Sequence, residues 1–146
     1  MLSILRFDYS NKIFFKKALG IRTKVFVQEM SIDPKLEYDG FDLTAHHFLL
    51  IENNEPIATA RWRETIKGIK LERFAVIKEQ RGKGIGTLIL KEVLKDTIQF
   101  SKTIYLHSQH SAVNLYLKNG FEIIGEAFEE AGIRHFYMEY KLSRTK

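Results

Sequence analysis

Apolar and polar positions recur with different periods along this chain of 146 residues, and each change of period marks an element. Met1–Phe7 reads as a first strand. From Asn11 to Met30, the apolar residues Ile13, Phe14, Ala18, Ile21, Val25 and Phe26 return at helical spacing, which predicts two helices broken near Gly20. Residues 31–42 contain Asp33-Pro34, Asp39-Gly40 and several acids, and predict a loop. Ala45–Glu52 and Pro56–Glu64 form a hairpin pattern around Asn53-Asn54-Glu55, and Lys70–Ile77 is the next strand. Gly84–Phe100 has helical spacing, with Ile85, Leu88, Ile89 and Val93 turned toward a sheet. Thr103–His107 is strand-like. Residues 111–119 predict a short helix with Ala112, Leu115 and Tyr116 on one face, closed by Asn119-Gly120. Phe121–Phe128 and Ile133–Leu142 predict a closing hairpin across Glu130-Ala131-Gly132. The order β-αα-βββ-α-β-α-ββ implies an α/β (α+β) fold: a mixed, mostly antiparallel sheet flanked by helices. No repeat or linker interrupts it, so residues 1–146 are expected to form a single domain.

Composition narrows the function. Hydrophobic content of 45% fits a globular chain with a sizeable core. The absence of cysteine excludes a disulfide framework, a thiolate metal site and a cysteine nucleophile. The N-terminus lacks an apolar stretch of signal-peptide length and no run reaches transmembrane length, so the expected compartment is the cytoplasm, with no membrane partner. A net charge of +5 raises nucleic acid as a partner, but no Lys/Arg run exceeds a pair. An anionic small molecule accounts for such a charge as well.

The most informative stretch is Leu71–Thr87. A strand passes through a polar turn into Arg81-x-x-Gly84-x-Gly86, and a helix begins at once. That order gathers glycine-rich backbone N–H groups and the positive end of a helix dipole, an arrangement suited to a phosphate. Gly82, Gly84 and Gly86 admit close backbone approach and a positive φ, and Arg81 and Lys83 add charge. The spacing matches neither a P-loop nor a dinucleotide fingerprint. It resembles the coenzyme A pyrophosphate loop of the GNAT superfamily of N-acetyltransferases. Ala112, Leu115, Tyr116, Lys118, Gly120 and Phe121 resemble the segment after the fifth strand of the same superfamily. Arg22–Glu29, Glu37-Tyr38-Asp39, His47-Phe48, Leu106–Gln109 and Phe128–His135 are similar to its ElaA-like and YjcF-like bacterial branch. A weaker likeness, through Arg22, Phe26 and Glu29, is to acyl-homoserine-lactone synthases.

The resemblance implies the acyl-CoA N-acyltransferase fold, with strands 4 and 5 splayed, and acetyl-CoA as cosubstrate without a metal. It implies coenzyme contacts from Phe74, Ala75, Val76, Arg81, Gly82, Lys83, Gly84, Ile85, Gly86, Thr87 and Asn114. A backbone N–H near Val76 would be the oxyanion donor, and Tyr116 the acid for the leaving thiolate. Glu72, expected on the same strand face as Phe74 and Val76, is a candidate base, or else a carboxylate salt-bridged to an arginine such as Arg61 or Arg73. His107, Glu130 and His135 are the other candidates. With Glu29 they make the expected acceptor side, facing a small-molecule or peptide amine. The alternative for Tyr116 is a core aromatic on an amphipathic helix. His46-His47, being adjacent, point to opposite faces and do not suggest a metal. Three functions stay open: an N-acetyltransferase, acting as monomer or homodimer; a coenzyme A-binding regulatory module; and a nucleic-acid-binding protein.

Overall fold

A computed structural model describes residues 1–143 and arranges eight strands into one sheet. The strands are β1 (Leu2–Phe7), β2 (His46–Glu52), β3 (Glu55–Glu64), β4 (Ile69–Val76), β5 (Ile104–Gln109), β6 (Phe121–Ile123), β7 (Phe128–Glu130) and β8 (Ile133–Tyr140). Their order is β1-β2-β3-β4-β5-β8-β6, with β7 also on β8. Every pair is antiparallel except β4 with β5. The helices are α1 (Lys12–Arg22), α2 (Pro34–Glu37), α3 (Ile85–Thr97) and α4 (Val113–Lys118). The expected fold is therefore present.

The β2–β3 hairpin turns where the pattern placed it. Asn53 and Asn54 both take positive φ (51° and 70°), a conformation that asparagine tolerates and that suits a two-residue hairpin. The core divides between the sheet faces. Ile85, Ile89, Leu90 and Val93 of α3 pack with Trp62, Leu71 and Ile104 on one. On the other, Ala18 and Ile21 of α1 join Phe7, Leu49 and Ala75.

Four local expectations are corrected. The helical region does not break at Gly20: α1 runs through it and continues as a π-helical segment over Thr23–Glu29, where the Met30 N–H donates to the Val25 carbonyl at 3.0 Å. An interior glycine costs a helix about 1 kcal/mol, too little to end one that packs against the sheet. Residues 31–42 are not all loop, because Asp33 caps α2 and Phe41–Leu43 forms a 3₁₀ turn. Leu88 is 39% exposed, at the margin of the buried stripe of α3, and Leu90 and Leu94 join Ile85, Ile89 and Val93 in that stripe instead. The closing hairpin is interrupted. Ile123 pairs with Met138 and Phe128 with His135, so the intervening residues bulge out between β6 and β7.

The feature that positions a site lies at the centre of the sheet. β4 and β5 pair only from Ile69 with Ile104 to Leu71 with Leu106. Beyond that, the strands continue to Val76 and Gln109 without pairing, so they splay and leave a gap.

Candidate active site

The gap opens into a cavity of about 770 Å³. Its β4 wall is shaped by a bulge. Arg61 pairs with Glu72 and Thr59 with Ala75, so two residues of β4 oppose one of β3, and Arg73 takes φ +60°. The left-handed conformation costs a non-glycine residue about 1–2 kcal/mol. The Arg73 guanidinium anchors this wall: Nη2 donates to Asp39 (3.0 Å) and to the Leu36 and Glu37 carbonyls (3.2 Å each), and Glu37 lies 2.7 Å from Nε. The bulge also shifts the alternation. Phe74 and Val76 pack on the α3 face, whereas Ala75 joins the α1 face. Glu72 follows Leu71, which lies on the α3 face, and so stands on the α1 side, opposite Phe74 and Val76. The expectation that these three share a face is corrected.

Backbone direction decides what β4 offers the gap. The Ile77 N–H donates to the Ile57 carbonyl on β3 at 3.0 Å. Alternation turns the Val76 N–H and C=O the other way, toward the gap. Arg81 Nε takes that carbonyl at 2.9 Å, which leaves the Val76 N–H.

At the mouth of the gap lies the glycine loop. Gly84, with φ +78°, is the N-cap of α3 and provides no side-chain cap, so the first N–H groups of the helix, from Ile85, Gly86 and Thr87, point outward with no partner among the described residues. No acid sits in that first turn to compete with an anionic ligand. Gly82 and Gly84 use the positive φ that glycine admits, and Gly86 does not. It packs against α4, where an added Cβ would lie 3.4 Å from the end of the Leu115 side chain. Arg81 is turned inward: besides Val76 it forms a two-pronged ion pair with Glu29, one contact being 2.9 Å, which ties the loop to the π-helical segment. Glu29 is thus at the loop end of the cavity, away from the expected acceptor residues. Lys83, near Gln80, and the exposed Asn114 both lie outside the cavity lining.

Tyr116 lines the cavity from α4, 6% exposed, with its ring edge-on to Phe74 and Phe121. Burial pushes its phenol pKa up, and no described group hydrogen-bonds its hydroxyl. The ring is packed as a core residue and the hydroxyl is free for a ligand.

The other end of the cavity is polar. Glu130 of β7 lies between two imidazoles, with Oε1 3.0 Å from His107 Nδ1 and Oε2 3.8 Å from His135 Nε2. The hydrogen bond from His107 holds the half-exposed Glu130 carboxyl below the usual carboxylate range, outweighing its partial desolvation. Three of the four expected acceptor residues therefore meet at one point, although 28 residues of sequence separate His107 from His135. Among the described residues no cluster of three or more His, Asp or Glu is placed to hold a metal.

Beneath this floor the Glu72–Arg61 ion pair, one of the two expectations for Glu72, is present, and it belongs to a wider charge network that was not expected. Glu72 is 9% exposed and is shared by Arg61 (2.9 Å), Arg63 (2.5 Å) and Lys70 (3.5 Å). Burial raises its pKa, but those cations, Arg61 first, outweigh that and hold it low. Arg61 continues to Asp39 (2.5 Å) and Asp42 (2.7 Å), and Arg22 joins Asp42 (2.7 Å) to Glu37 (2.5 Å). Arg22 and Arg61 are each 1% exposed. The available signal is charge of both signs in one motif, Arg22 with Glu37 and Asp39, and along the chain it looks the same as a solvated surface.

Such a cavity can hold an anionic group at the helix terminus, an extended chain along β4, and a polar head beside Glu130. Comparison with known proteins agrees. Residues 17–142 match the acetyltransferase (GNAT) domain family. YjcF of Bacillus subtilis, an uncharacterized N-acetyltransferase, is 32% identical over 130 residues, covering 88% of this chain and 93% of that protein. The crystal structure of Escherichia coli ElaA superposes with a TM-score of 0.85 at 26% identity, covering 94% of this chain and 99% of that one. An aminoglycoside 6′-N-acetyltransferase solved with coenzyme A gives 0.75 at 15% identity, covering 96% and 97%.

Proposed function

This chain belongs to the GNAT acetyltransferase family, and we propose that it transfers the acetyl group of acetyl-CoA directly to a primary amine of a small molecule or peptide. The observation that carries this reading is the shared cavity: the outward N–H groups of Ile85, Gly86 and Thr87, the unpaired edge of β4 and the free hydroxyl of Tyr116 all line it. A coenzyme A pyrophosphate fits the first, with Gly82 and Gly84 leaving room, since a Cβ added at either would meet nothing within 4 Å. The pantetheine arm fits the second, beside Phe74, Ala75 and Val76. Coenzyme A bound in the aminoglycoside acetyltransferase of the same fold supports the assignment.

The residues then divide the work. The Val76 N–H donates to the thioester oxygen as charge develops there, a contribution worth most when it is prepositioned and shielded from water. Tyr116, kept as a phenol by burial, hands its proton to the departing sulfur. Arg81, through Glu29 and the Val76 carbonyl, fixes the loop against β4; Lys83 and Asn114 stand outside, within reach of the coenzyme's outer phosphates. Glu72 is a fixed negative charge under the acceptor side, its lone pairs committed to Arg61, Arg63 and Lys70. The acceptor amine sits by His107, Glu130 and His135.

The test is free-thiol release from acetyl-CoA across a panel of primary amines, with calorimetry of acetyl-CoA alone. Amine-dependent thiol release supports the reading. Heat of binding without release with any amine supports the regulatory module instead, and no heat at all rejects both.

A further inference from the structure

Resting on that reading, we infer that His107 is the catalytic base, taking the acceptor's proton on Nε2, and that Glu130 is the positioning residue that fixes its tautomer. Lys70 pairs with Tyr105 across the last paired steps of β4 and β5. Alternation puts His107, two residues on, on the same face as Tyr105, just past the point where the strands part. The ring is one-quarter exposed and lines the cavity. It is packed edge-on to Phe128 (5.2 Å) and flanked by Tyr105 (6.1 Å) and Tyr137 (6.0 Å).

A carboxylate only accepts hydrogen bonds, so a neutral His107 with Nδ1 3.0 Å from Glu130 must carry its proton there. That leaves the Nε2 lone pair, which has no partner among the described residues. Glu130 also stabilises the imidazolium that forms on proton uptake, the same division of labour as any carboxylate–histidine pair. His135 is less suited. Its Nδ1 is spent on the Ile133 carbonyl (2.8 Å), its Nε2 faces Glu130, and it is 5% exposed. Glu72 holds three cations. Glu130 from β7 is the charged group bonded to His107; His135 from β8 and Lys70 from β4 act on that carboxylate, and Lys67 lies over the Tyr137 and Tyr105 rings (4.4 and 5.7 Å) that flank the imidazole.

The protons balance. An acceptor ammonium loses one proton to His107 Nε2, and the freed lone pair forms the C–N bond. As the C–S bond breaks, the sulfur takes the Tyr116 proton, and the second proton leaving nitrogen restores the phenol. His107 returns its proton to solvent.

Two measurements decide. Long-range ¹⁵N–¹H correlation on the wild-type protein should find His107 protonated at Nδ1, and Glu130→Ala should release that preference; an Nε2–H tautomer overturns the proposal. Kinetics then use two probe amines at neutral pH: ethylamine, which is protonated, and aminoacetonitrile, which is largely neutral. His107→Gln should lose about 100-fold or more in kcat/KM with ethylamine and less than about threefold with aminoacetonitrile, which needs no base. Equal losses on the two amines, or none, overturn the proposal. Calorimetry of acetyl-CoA separates this from the parent reading: wild-type protein that fails to bind acetyl-CoA refutes the acetyltransferase assignment, whatever the tautomer.

Discussion

Replacing Tyr116 with Phe removes one oxygen from the cavity wall, and its consequences for chemistry and stability can be separated. A hydrogen-bonded hydroxyl contributes about 1 kcal/mol to folding. The Tyr116 hydroxyl has no such bond among the described residues, and its ring contacts with Phe74 and Phe121 survive the change. The melting temperature should therefore move by less than about 2 °C, because 1 kcal/mol corresponds to about 2–4 °C for a chain near this size. A lost acid for the thiolate should lower kcat by about a hundred- to a thousandfold, or ~2.7–4.1 kcal/mol of transition-state stabilisation. Acetyl-CoA affinity should hold, since the proton is needed only as the C–S bond breaks. The assays are thiol release with the best amine of the panel, calorimetry with acetyl-CoA, and a melting curve. A variant that keeps its kcat and melts several degrees lower would show that Tyr116 is a core residue and that something else protonates the sulfur.

Other outcomes follow from the same geometry. Gly84→Val forces a β-branched residue into φ +78° at the N-cap of α3. The strain of about 1–2 kcal/mol should weaken acetyl-CoA binding by about tenfold or more, and an unchanged calorimetric Kd would take the loop out of the site. Arg22→Met leaves Glu37 and Asp42 short of a buried partner and should cost about 3–5 kcal/mol in urea unfolding at pH 7. Burial already pushes the Glu37 carboxyl up despite Arg22 and Arg73. On acidification the folded state should take up that proton before the unfolded chain does, so the variant's deficit should shrink below neutral pH. A deficit that widened on acidification would refute the assignment.

How much of this was legible follows from what each residue signals locally. The coenzyme loop was readable because a strand, three spaced glycines and an apolar helix stripe all lie within seventeen residues, from Leu71 to Thr87. The meeting of His107, Glu130 and His135 came from motif likeness, and the register of β5, β7 and β8 realises it. The bulge at Arg73 was not readable. Arginine carries no mark of a positive φ, and without the bulge period-two counting assigns Glu72 to the wrong face. The π-helical segment is hidden for a similar reason, since Val25 and Phe26 fit a helical stripe equally well with either hydrogen-bond step. Glu37 and Asp42 look like surface acids because their partners, Arg22 and Arg61, lie 15 and 19 residues away along the chain. Charge pairing over such distances is a property of the fold, not of a sequence window. Arg81 shows both sides: its place in the loop was evident, but its grip on Glu29, 52 residues earlier, was not.

The central claim is direct acetyl transfer to nitrogen, and one labelled turnover tests it. The purified protein is mixed with trideuterioacetyl-CoA and the best amine of the panel, then quenched and analysed by intact mass spectrometry. The account predicts the label on the amine as an amide, one free thiol for each amide formed, and an unchanged protein mass. Label retained on the protein, or released only as acetate, would contradict it.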